Sequence, residues 1–261
     1  EEDKNAPLAT PFRYGYQFEV NLSLDNSGEW LDLDNGDRIW RLTIDSQDAF
    51  AISLQYDQFY LPTEARLFVY NADGSIILGG YTSANNQSDM LFSTPLIKGD
   101  VIHLEYYEPS NVYGQGIINI NNVIHDYKDL FNLSRESRNE ACGYNVICPE
   151  ADNYQDQANA TAHLVMGNGY VCSGIMLNNT AEDFAPYFWT AWHCVVNTNP
   201  SIFQFYFDHE TASCEDNSEI PSGSYLYGGI LLSDSDGMDP DYALIGITDN
   251  EIPDEIYYAG W

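Results

Sequence analysis

Basic residues are scarce in this 261-residue chain, and they stop altogether part-way along it. Nine lysines and arginines stand against 40 aspartates and glutamates, a formal net charge of −31. All nine (Lys4, Arg13, Arg38, Arg41, Arg66, Lys98, Lys128, Arg135 and Arg138) precede residue 139, whereas residues 139–261 carry 19 acids and no base. Phosphate backbones require a basic face, so nucleic acid is excluded as a partner, and anionic membrane surfaces are disfavoured for the same reason. No apolar run reaches the about 18 residues that a membrane-spanning helix needs. The chain opens at Glu1 with neither methionine nor export signal, and so reads as already processed. The five cysteines, Cys142, Cys148, Cys172, Cys194 and Cys214, are separated by 5, 23, 21 and 19 residues and include no Cys-x-x-Cys, which argues against structural zinc. Also missing is any Gly-x-Ser-Gly-Gly turn of the kind that presents a nucleophilic serine.

Two segments carry chemistry. Phe188-Trp189-Thr190-Ala191-Trp192-His193-Cys194 is an apolar strand ending in Thr-Ala-x-His-Cys, and Asp241-Tyr242-Ala243-Leu244-Ile245-Gly246-Ile247 places an acid at the head of an alternating apolar strand. A hydroxyl is a weak nucleophile until a neighbouring imidazole takes its proton. His193 suits that general-base role, and Asp241 would accept the other ring N–H, fixing the tautomer and stabilising the imidazolium. The competing assignment for His193 is a core histidine beside a buried cysteine.

Two further matches upstream weigh against that assignment: Cys142-Gly143-Tyr144-Asn145-Val146-Ile147-Cys148-Pro149-Glu150, then Val171-Cys172-Ser173-Gly174. From Cys142 to Trp261 the sequence resembles the bacterial lysyl endopeptidase family of trypsin-like serine peptidases. The resemblance implies an all-β fold in which residues 142–261 form the first barrel of a chymotrypsin-like double β-barrel. It implies His193 and Asp241 as catalytic residues, disulfides Cys172–Cys194 and Cys148–Cys214, and a partner for Cys142 beyond Trp261. No cofactor or metal is implied, and the substrate is a protein or peptide cut after Lys or Arg. Trp192 departs from the small residue or histidine common before the base. By the same resemblance the serine, the oxyanion-hole amides and the specificity pocket belong to a second barrel of which nothing appears here. The chain is therefore expected to be a precursor fragment that hydrolyses nothing as written. A secreted or cell-surface location follows from the cysteines and the family; the oligomeric state does not follow from anything.

Residues 1–130 read as an amino-terminal β-sandwich, with 131–141 as a linker. Trp40, Leu42 and Ile44 alternate with polar residues after Asn35-Gly36, a hairpin dipeptide. Leu67–Tyr70 and Ser75–Leu78 flank Asn71-Ala72-Asp73-Gly74, and strands are also predicted at Val101–Tyr107 and Gly116–Ile120. This half resembles the pro-region of lysyl-endopeptidase-like proteins. Its aromatic runs, Phe59-Tyr60-Leu61-Pro62 and Glu105-Tyr106-Tyr107-Glu108-Pro109, suit a sandwich core or a sugar-binding face. The alternative for the whole chain is accordingly a non-catalytic adhesion or carbohydrate-binding protein with a relic peptidase half.

The void of basic residues after Arg138 is expected if the protein meets an enzyme cutting after Lys or Arg, with Arg138 as an activation site. Asp32-Leu33-Asp34-Asn35-Gly36-Asp37 has its glycine one position early for a calcium loop and reads as a hairpin turn. Asp234, Asp236 and Asp239 fit either calcium or an ordinary loop. His103, His125, His163 and His209 sit in no motif. His209, between Asp208 and Glu210, is expected to hold its proton more readily than a bare imidazole.

Overall fold

The computed structural model describes residues 10–130, 146–210, 213–214, 225–249 and 252–260. Cys142, Arg135, Arg138 and the linker 131–141 lie outside them. The chain divides into two compact units, residues 15–128 with 167–169, and residues 1–14, 129–166 and 170–261. Both are built from strands.

The second unit takes in β1 (Phe12–Arg13), which pairs in its sheet with Tyr170 and Val171.

In the first unit the strands are β2 (Gly15–Ser23), β3 (Glu29–Asp32), β4 (Arg38–Asp45), β5 (Ala51–Tyr60), β6 (Arg66–Asn71), β7 (Ile77–Tyr81), β8 (Phe92–Ser93), β9 (Ile97–Lys98), β10 (Val101–Glu108) and β11 (Ile117–Asp126). One antiparallel sheet runs β3-β4-β10-β6-β7; the other runs β2-β11-β5-β8, with β9 also on β5. Alternation decides which face is buried. Ile102, Leu104 and Tyr106 of β10 and Leu67 and Val69 of β6 are buried, while their sequence neighbours are less so. The β3–β4 connection is the turn read from Asn35-Gly36: Gly36 adopts φ +87° and its N–H donates to Leu33 O, and since a Cβ there would meet only Ser110 at ordinary contact distance, it is the backbone conformation that favours glycine.

The aromatic runs serve mainly as core. Phe59 stacks on Phe92 with centroids 4.2 Å apart, and Tyr56 and Tyr81 meet the same ring edge-on or tilted. Only Tyr60 of the first run is exposed. Arg38 pairs with the buried Glu108 at 2.5 Å and lies between the rings of Trp30 and Tyr113, each 3.7 Å away. The buried Glu108 carboxylate is thus compensated by the Arg38 guanidinium, which the two ring faces hold in place.

The second unit adds a short helix α1 (Gln155–Ala160) and strands β12 (Thr161–Val165), β13 (Tyr170–Leu177), β14 (Tyr187–Thr190), β15 (Gln204–Tyr206), β16 (Tyr225–Tyr227), β17 (Gly229–Asp234) and β18 (Ala243–Ile247). They form one curled eight-stranded antiparallel sheet in the order β16-β15-β12-β13-β14-β18-β17, with β1 on β13. Leu164, Met176, Phe188, Phe203, Phe205 and Ile245 fill its interior. Outside, β17 leaves Ile230, Leu231 and Leu232 exposed along one edge of the sheet. Among its described residues the unit holds two disulfides, Cys148–Cys214 and Cys172–Cys194. No helix among the described residues is long and apolar enough to cross a membrane.

Candidate active site

The site is assembled by one strand pairing. β14 and β18 are antiparallel neighbours with Thr190 opposite Ala243. The chain leaving β14 turns at once through a single 3-10 turn, Trp192–Cys194, while Asp241 lies just before β18 on the partner strand. Exit and entry meet at the same end of the sheet, so His193 and Asp241 face each other across 48 residues of sequence. His193 Nδ1 lies 2.5 Å from Asp241 Oδ2, and the His193 backbone N–H donates to Oδ1 at 3.1 Å. The carboxylate thus grips both the ring and the backbone of the same residue, which fixes the direction of the imidazole. No described residue engages Nε2, the nitrogen left to accept a proton.

Several features hold the turn. Cys194 is bridged to Cys172 on β13, and Thr190 Oγ1 donates to Ser173 O at 2.8 Å. Gly174, the next residue along β13, gives β14 room: a Cβ there would lie on the Phe188 ring and the Trp189 carbonyl. The Cys-x-Gly pattern therefore has a physical reason, one residue tethering the histidine turn and the other admitting its strand. Trp192 packs towards Gly237, whose φ of +75° suits glycine.

The Asp241 carboxyl is held below its ordinary range. The side-chain hydrogen bond with His193 is the largest cause, and backbone N–H groups of His193 and Trp192 act in the same direction against a desolvation penalty. A lowered carboxyl pKa adds stability that is present above the ordinary value of 3.8 and fades as pH falls through the folded one. The Asp241 carboxyl carbon is expected to titrate by NMR below 3.8, and to move back up in His193→Ala.

Among the described residues, the only three His, Cys, Asp or Glu ligand atoms clustered closely enough for a metal belong to Cys172, His193 and Cys194. Both sulfurs are committed to the disulfide, so no thiolate is available to bind one. Asp234, Asp236 and Asp239 form no such cluster; Asp234 Oδ1 accepts the Asp236 N–H at 2.6 Å, an ordinary turn.

One expectation is corrected. His209 was expected to hold its proton more readily between Asp208 and Glu210, but burial pushes its pKa down, and it pushes His163 down to about 3. Its ring stacks on His163 instead of facing the carboxylates, with centroids 4.7 Å apart. Local sequence could not show this, because the pairing of β12 with β15 that joins them spans about forty residues.

The family described as lysyl endopeptidase, C-terminal domain, matches residues 137–261. The chain is lysyl endopeptidase-like. A lysyl endopeptidase of Pseudomonas aeruginosa is 26% identical over 291 aligned residues, covering 98% of this chain and 60% of that protein. The chain thus spans 60% of the length of the curated relative it matches, and the alignment takes in the first unit as well as the lysyl endopeptidase-like second one.

Proposed function

We propose that the second unit is the base-bearing half of a secreted serine endopeptidase. In this reading His193 Nε2 removes the proton from an attacking serine hydroxyl and returns it to the leaving amine, while Asp241 stabilises the imidazolium in between. The observation that carries the reading is the double hold of Asp241 on His193, through Nδ1 at 2.5 Å and the backbone N–H at 3.1 Å. It leaves one ring nitrogen available and specifies which. The serine, the oxyanion hole and the pocket are not assigned to any residue here. The apolar edge of β17, with Ile230, Leu231 and Leu232 exposed, is the surface that a second barrel would cover. Cleavage after Lys or Arg is proposed from the likeness to lysyl endopeptidase alone, and the first unit is proposed as a pro-region.

A fluorophosphonate probe tests the reading. A polypeptide of these 261 residues is expected to remain unlabelled, and the product of the coding sequence read further is expected to react, with the reaction abolished by His193→Ala. Labelling of the 261-residue chain, or labelling of the longer product that survives His193→Ala, would overturn it. The proposed activation boundary has its own check. Brief trypsin treatment is expected to leave a fragment beginning at Asn139 that resists further digestion, because no Lys or Arg follows Arg138. Mass spectrometry reads the outcome; a chain left uncut at Arg135 and Arg138 would count against the boundary.

A further inference from the structure

The ladder between β14 and β18 ends where Thr190 faces Ala243, so Asp241 lies two residues outside the pairing that brings it to His193. Its side chain is 44% exposed. Close packing therefore does not set the direction of the carboxylate, which depends on its hydrogen bonds and on the backbone that follows it. Trp189 pairs with Leu244, and Tyr242 stands two residues before Leu244 on the same face, a diagonal position from which long aromatic side chains can meet. The two rings do meet. They stack with centroids 5.2 Å apart and an interplanar angle of 17°, carrying the grip of β14 past the end of the ladder. Trp189 is 42% exposed while its neighbours Phe188 and Thr190 are buried, so it adds little to the interior of the sheet.

Tyr242 is held from β17 as well. Its N–H donates to Ser235 Oγ at 3.4 Å, its carbonyl accepts the Ser235 N–H at 3.0 Å, and its hydroxyl lies 3.3 Å from Ser233 Oγ. One residue thus ties together β14, β18 and the chain leaving β17, a single position away from the carboxylate. A carboxylate that serves two donors of His193 at once tolerates little movement of its own backbone. We propose that Trp189 and Tyr242 are positioning residues for Asp241: their stack fixes the backbone at the head of β18 so that the carboxylate reaches both Nδ1 and the backbone N–H of His193. The inference rests on the reading of His193 and Asp241 as the proton-relay pair. Neither aromatic residue takes a proton; both act through Asp241.

Nitrogen-15 and carbon-13 NMR on the 261-residue chain tests the stack. Trp189→Leu and Tyr242→Leu keep apolar volume and lose the ring pair; each is expected to lose the downfield Nδ1–H resonance of His193 and to move the Asp241 carboxyl pKa up towards 3.8. Trp189 is exposed, so its variant is expected to fold even if the Tyr242 variant does not. Tyr242→Phe, which keeps the ring, is expected to preserve both signals. Leu226→Ala is the control for general destabilisation: Leu226 is buried in β16, at the other end of the strand order, and both signals should survive its truncation. Unchanged His193 and Asp241 signals in either folded Leu variant would overturn the proposal. So would their loss in Leu226→Ala, which would reduce the effect to lost stability, or in Tyr242→Phe, which would assign it to the hydroxyl. A downfield resonance missing from the unsubstituted protein would overturn the His193–Asp241 pairing itself and the inference with it, whereas its presence there separates the two failures.

Discussion

Removing the Cys148–Cys214 bridge is expected to cost the second unit about 4 kcal/mol and to leave the first unit untouched. The bridge closes a loop of 66 residues, and the chain-entropy relation for a loop of that length gives a value near 4 kcal/mol at 25 °C. The Cys172–Cys194 bridge, nested inside it with a separation of 22, contributes about 3 kcal/mol on the same relation, but the two do not simply add because they constrain one stretch of chain. Domain stabilities of about 5–15 kcal/mol make either loss large. The contrast between units supplies an internal control, since all five cysteines fall in residues 142–214 and none in the first unit. Urea unfolding of the Cys148→Ala/Cys214→Ala variant should therefore move one transition and not the other. Trp30 and Trp40 report on the first unit and Trp189 and Trp192 on the second. A change of less than about 1 kcal/mol in the second transition would show that the unfolded chain is already restricted by other means.

Gly174→Val is expected to destabilise the second unit by about 3 kcal/mol, the top of the usual range for overpacked cores. The new side chain would meet two groups that cannot yield cheaply. One is the ring of Phe188, fully buried and edge-on to Phe205 at 4.8 Å; the other is the backbone carbonyl of Trp189. Relief requires β14 to move away from β13, and β14 delivers His193. The variant should therefore lose the downfield Nδ1–H signal of His193 together with stability, a coupling that a simple cavity mutation elsewhere in the core would not produce. Near wild-type unfolding with an intact His193 signal would mean that β14 can shift without disturbing the turn beyond it.

The legible parts of this molecule are those whose chemistry is written within a few residues. Thr190-Ala191-Trp192-His193-Cys194 announces a turn after an apolar strand, and Asp241 precedes a strand with clean alternation. Gly174 follows Cys172 at the spacing that tether and close approach demand. Asn35-Gly36 and Asn71-Ala72-Asp73-Gly74 mark hairpins by backbone preference alone. What stayed hidden depends on pairing between distant segments. Ile230, Leu231 and Leu232 form an apolar run of the kind that usually indicates a buried strand, yet they lie exposed on the edge strand β17. His163 and His209 carry no local signal, since their meeting depends on the β12–β15 register. The charged neighbours of His209 suggest a raised pKa, whereas burial lowers it.

The state of the His193 ring tests the central claim most directly. If Asp241 accepts the Nδ1 proton, nitrogen-15 NMR should show the uncharged form of the His193 ring protonated at Nδ1 and bare at Nε2, with a strongly downfield Nδ1–H resonance that disappears in Asp241→Ala. A neutral ring protonated at Nε2, or an Nδ1–H signal unchanged in Asp241→Ala, would contradict it.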